Sequence, residues 1–129
     1  MTLKEEAKQI QDFLEITMSD SSAEVVNRGN DLVVYIARTG EMLAQAKLAL
    51  NEAMKNEAMQ VIKDFIVDKK LSAKVQNALI DGLCREQKYM VDWLDRLNTT
   101  CTHQLDWCRT LVSKNKEEMR LNNIGKEFQ

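Results

Sequence analysis

The chain of 129 residues has no proline, where average usage of about 5% would supply about six. Only four glycines interrupt it. A backbone with so few obligatory stops favours long helices. Aromatic residues make up 5% of the sequence, which counts against a sheet. No apolar run approaches the roughly 20 residues that a membrane span needs. The opening Met1-Thr2-Leu3-Lys4 carries no apolar signal core, so a cytoplasmic protein is expected. Neither sign of charge dominates: 18 basic against 20 acidic residues give −2, without the basic excess usual in a nucleic-acid binder. Cys84, Cys101 and Cys108 are an odd number of cysteines and suit reduced thiols better than a disulfide framework.

What remains is rich in Ala, Leu, Lys, Glu, Gln and Met, the small and straight-chain helix formers. Leu3, Ala7, Ile10, Leu14 and Met18 form one apolar stripe, widened by Phe13, and predict a helix over 3–18. Ser21 followed by Glu24 has capping-box spacing and starts a second helix at about 22. Its row runs Val25, Gly29, Leu32, Ile36, Gly40, Leu43, Lys47, Leu50, Met54, Ala58, Val61 or Ile62, and Phe65, to about 69. Gly29 and Gly40 on that row are either two weak points or places of close helix approach, and a break near Gly40 is an alternative. Lys69-Lys70-Leu71-Ser72 reads as a turn, with Ser72 as the next N-cap.

The third helix is expected over 73–121, with the row Val75, Leu79, Leu83, Glu86, Met90, Leu94, Leu97, Cys101, Leu105, Cys108 and Val112. Its mean step is about 3.7 residues, nearer an eleven-residue repeat than a strict heptad. Residues 122–129 read as a frayed tail. The predicted fold is all-α, a single helical domain. A long antiparallel hairpin carries a short N-terminal helix, and oligomerisation completes a helical bundle. A compact four-helix bundle, folded back at Gly40, is the alternative.

Chemistry is sparse. Cys101 and His103 are two residues apart and face opposite ways on a helix, so no metal site is expected and no cofactor is implied. There is no glycine-rich phosphate loop and no nucleophile elbow, and hence no predicted enzyme. Glu86, alone in polarity on its apolar row, reads as a register-fixing buried group or as a functional carboxylate.

Two surfaces remain. Val91-Asp92-Trp93-Leu94-Asp95 recurs as Leu105-Asp106-Trp107-Cys108-Arg109, placing both tryptophans on one helix flank. They either pack on the first helix or, with Arg96 and Arg109, form a ridge that binds a protein partner. Arg109, Ser113, Lys116 and Arg120 line a stripe near the end of the same helix. It is either a solvated end favoured by the helix dipole or an anion site for nucleic acid or nucleotide phosphate.

Leu79-Ile80-Asp81-Gly82-Leu83-Cys84-Arg85-Glu86, Asp92-Trp93-Leu94-Asp95-Arg96-Leu97, the run from Arg109 to Met119 and the stretch from Tyr35 to Ala44 resemble short helical proteins encoded by bacteriophages and prophages. The resemblance implies an accessory protein in a bacterial cytoplasm and supplies no catalytic residues. Stoichiometric binding to a host or phage protein is the leading expectation, with inhibition of a host defence system as one form. A nucleic-acid or nucleotide binder is the alternative.

Overall fold

The computed structural model describes residues 1–127, and the side chains of all of these except 57, 58, 126 and 127. It is 89% helical, and the described residues form five helices: α1 (Leu3–Glu15), α2 (Ser22–Lys55), α3 (Glu57–Asp68), α4 (Ala73–Leu83) and α5 (Arg85–Glu127). Two compact units divide the chain, Met1–Thr39 with Leu97–Gln129, and Gly40–Arg96.

In the first unit α2 packs antiparallel on α5. Asn115 reaches the carbonyl of Asp20 and the hydroxyl of Ser22, whereas Asn98 reaches the carbonyl of Ile36 and the hydroxyl of Thr39. Numbers rise on one helix as they fall on the other. The seam of α2 is Val25, Arg28, Leu32, Tyr35 and Thr39, and that of α5 is Leu97, Cys101, Gln104, Cys108, Leu111 and Asn115. Both repeat in threes and fours, as a heptad seam does. The expected rows share Val25, Leu32, Leu97, Cys101 and Cys108 with this seam, and Gly29 is a place of close helix approach, where a Cβ would lie 3.8 Å from Leu105 and 3.9 Å from Cys108. Gly29, Ile36 and Leu105 are half-buried and Val112 is 40% exposed. Reading only apolar residues skipped Arg28, Thr39 and Gln104, whose polar ends are bonded by partners within the unit, and Tyr35, whose ring lies against Phe13.

The short helix α1 covers one side of that seam with Ala7, Ile10 and Leu14, all buried. Its start is fixed by a capping box, Thr2 with Glu5. At Ser21 the expected box is replaced: the Ser19 hydroxyl donates to the Glu24 carboxylate instead. The first helix also stops at Glu15 rather than at about 18, with the Ile16 amide turned back to the Phe13 carbonyl.

In the second unit the breaks fall where the periodic pattern gives no hint. The second helix runs unbroken through Gly29 and Gly40 and ends at Lys55. Asn56 leaves the helix, and its side-chain oxygen accepts the Met59 amide, which starts α3. Lys63 then donates to the Met54 carbonyl left open by the break. The turn at 69–72 forms as expected, with Ser72 accepting from Val75. It is a Schellman turn: Lys70 is left-handed at φ 53°, and the amides of Lys70 and Leu71 reach the carbonyls of Val67 and Ile66. The expected continuous third helix is interrupted at Cys84, one residue past α4 and two past Gly82, and a Lys88–Asp81 ion pair spans the step. Met42, Ala46, Met59, Ile66, Cys84 and Leu94 are buried in this unit, whereas no residue of α4 is. Helix α5 continues through Glu127, so residues 122–127 are helical rather than a tail; Phe128 and Gln129 lie outside the described residues.

Candidate functional site

Residue Arg28 is the electrostatic oddity of the first unit. It is 8% exposed at a seam position. One terminal nitrogen donates to the side-chain oxygen of Gln104 at 2.9 Å and to the carbonyl of Leu14 at 3.3 Å. The Gln104 amide donates to that same carbonyl at 3.0 Å. Leu14 lies in the last turn of α1, where carbonyls lack helical partners, so Arg28 and Gln104 together close that helix end. The guanidinium also lies 4.1 Å above the centre of the Phe13 ring, and Phe13 in turn stacks on Tyr35 at 4.8 Å. Among the described residues no carboxylate bonds Arg28, and its Nε has no hydrogen-bond partner. At the other end of α1, Arg38 grips Glu6 through two nitrogens, one at 2.6 Å, which holds the Glu6 carboxyl below its usual pKa.

Cys101 and Cys108 are buried close enough to Arg28 to feel its charge. Burial nonetheless outweighs that attraction and raises both thiols. They behave as small apolar residues. His103 is exposed on the far side of α5 from Cys101. Among the described residues no three Cys, His, Asp or Glu side chains are grouped to hold a metal ion. Glu86 is exposed in the first turn of α5, where the helix dipole favours an acid. It is therefore not the buried register-fixing group expected from its row.

The four residues of the tryptophan ridge fall in different units. In the first unit Trp107 is 56% exposed, one position from buried Cys108, and does not pack away as a core residue. Arg109 beside it is exposed and lies 3.4 Å from Asp106. In the second unit Trp93 is half-buried, its ring 5.7 Å from that of Tyr89, and Arg96 is exposed.

Arg109, Ser113, Lys116 and Arg120 are all exposed on α5 in the first unit. Arg120 is engaged by Glu117 through two contacts of 3.1 and 2.6 Å, which lowers the Glu117 pKa and raises that of Arg120. Close by, Asn115 and Ser22 line a shallow hollow with Asp20 and Glu118. An incoming phosphate would meet these acids and would have to displace Glu117 from Arg120.

Sequence reasoning did not single out Arg28, Gln104 or Asn98. The available signal was the heptad spacing of these polar residues among buried apolar ones. Compared with known families, curated proteins and solved structures, the chain matches none. Among the described residues no helix is long and apolar enough to cross a membrane.

Proposed function

We propose that this chain is a non-catalytic accessory protein that binds a protein partner stoichiometrically, and that it works as a homo-oligomer in a bacterial cytoplasm. The observation that carries the binding reading is Trp107, 56% exposed on α5 beside Arg109. Tryptophan and arginine dominate interface hot spots, and a solvated tryptophan gains much by being covered. The resemblance of several segments to phage proteins makes a host factor the favoured class of partner. Binding of nucleic acid or nucleotide phosphate through the basic stripe is the weaker reading, because Glu117 holds Arg120 and Asp106 lies beside Arg109.

Self-association is supported by the large apolar side chains that the first unit leaves exposed, among them Val26, Val33, Val34 and Trp107.

The test is affinity capture from bacterial lysate with the wild-type chain and with Trp107→Ala, followed by titration of the purified captured protein. The expected result is one protein held in fixed ratio by the wild type and lost with Trp107→Ala. Equal capture by both chains would remove Trp107 as the anchor. Capture of nucleic acid alone, released by salt, would favour the phosphate reading.

A further inference from the structure

A guanidinium presents a fork along one edge. There Nε and the adjacent terminal nitrogen, Nη2, point the same way, and a carboxylate takes both with two parallel bonds. Arg28 uses only half of that fork. Its Nη2 donates to Leu14 and Gln104, whereas its Nε is buried and has no partner. The residue is more than nine-tenths buried, so its charge is desolvated in the folded unit already. The desolvation that ordinarily offsets a buried ion pair is then left only on the side of an arriving acid. What occupies the place is the end of α1, and it fits poorly. Leu14 brings a single oxygen, at 3.3 Å the longer of the two contacts. Helix α1 has 13 residues and buries only Ala7, Ile10 and Leu14, and a helix that short is marginal without tertiary support. The segment 16–21 that follows is exposed except for half-buried Met18. The last turn of α1 is therefore free to lift from that end while Glu6 and Arg38 hold the other.

We infer that Arg28 and Gln104 form the receptor for a carboxylate of the protein partner, which displaces the last turn of α1. This deepens the partner binding proposed above and rests on it. The chemistry of the occupant comes from the half-used fork: a cation already desolvated, with no carboxylate bonded to it among the described residues. Two carboxylate oxygens fill both Nε and Nη2, where one carbonyl oxygen fills only the second. The Gln104 amide, released from the Leu14 carbonyl, donates to the same acid. Lifting the turn gives up the Phe13 ring over the guanidinium, and two charge-assisted bonds outweigh one ring contact. The position comes from α5. Exposed Trp107 lies three residues after Gln104, so the two side chains are neighbours on the helix surface. A partner seated on Trp107 is then one turn from the fork.

The probe is a synthetic peptide of residues Thr2–Leu14, ending either in a free carboxylate or in an amide. The free ending puts two oxygens where Leu14 has one. Binding is followed by fluorescence anisotropy on the full chain carrying Ile10→Asp, which loosens its own α1; Leu14→Ala is the milder second variant. The free carboxylate is expected to bind about tenfold more tightly than the amide. With Arg28→Met added, the order is expected to reverse, because a negative charge at a helix C-terminus is unfavourable. Equal or tighter binding of the amide with Arg28 in place would overturn the receptor, as would failure of both variants to bind either peptide. Arg28→Met is also expected to weaken binding of the captured partner about tenfold. An unchanged affinity there would overturn the inference while partner binding through Trp107 stands. Peptide binding is expected to be indifferent to Trp107→Ala, so equal lysate capture by wild type and Trp107→Ala would remove the tryptophan anchor and leave the carboxylate preference of Arg28 standing.

Discussion

Replacing Arg28 with methionine is expected to change stability by less than about 1 kcal/mol, although two hydrogen bonds and a ring contact are lost. The guanidinium bonds to Leu14 and Gln104 contribute about 1.5–3 kcal/mol each, the 3.3 Å one at the low end. The contact over Phe13 adds about 2 kcal/mol in a desolvated setting. Against these, burying a cation with no carboxylate costs several kcal/mol, and the orphaned Nε costs a further ~1–3 kcal/mol. Methionine keeps the apolar stem and removes the charge, while the Gln104 amide still holds the Leu14 carbonyl. The two sides nearly cancel. Arg28→Ala also removes the stem and opens a cavity beside Phe13, so it is expected to cost about 3 kcal/mol. Urea unfolding followed by circular dichroism separates the variants. If methionine proves as costly as alanine, the guanidinium itself anchors α1 and its desolvation has been overvalued.

Three further outcomes follow from the geometry. Glu6 has its folded pKa lowered by Arg38, so its contribution is present above the ordinary glutamate range and is lost as pH falls through the lowered value. With both side chains partly solvated, Glu6→Gln is expected to cost at most about 1 kcal/mol at pH 7, and the difference from wild type is expected to vanish in acid melts. Lys70→Gly relieves a left-handed lysine in the α3–α4 turn and is expected to add roughly 0.5–1 kcal/mol; a loss in thermal melts would mean that the lysine side chain stabilises the turn. The three buried thiols are expected to resist a thiol reagent in the native protein and to react fully once it unfolds, at a rate set by opening; prompt reaction of Cys101 would contradict its burial.

Local chemistry alone sets much of the architecture. The absence of proline and the abundance of straight-chain residues require helices. The Lys69–Ser72 turn and the Ser72 cap were legible because they depend on neighbours within four residues. The exposed basic stripe on α5 and the Trp-Asp repeat were legible as positions on one helix, though not as a site. Tertiary structure decided the rest. Apolar periodicity gave Val25, Leu32, Leu97, Cys101 and Cys108 of the seam, but not Arg28, Thr39 and Gln104 between them. Only a neighbouring helix can say whether a polar residue finds a partner there. The breaks at Asn56 and Cys84 were hidden for the same reason, since the apolar rows continue across both and no proline marks the stop. Likewise, the sequence displays Val26, Val33 and Val34 as ordinary helix residues. Their exposure appears only once α1 and α5 have taken the other sides of α2, because a helix face is free or covered only relative to what packs around it.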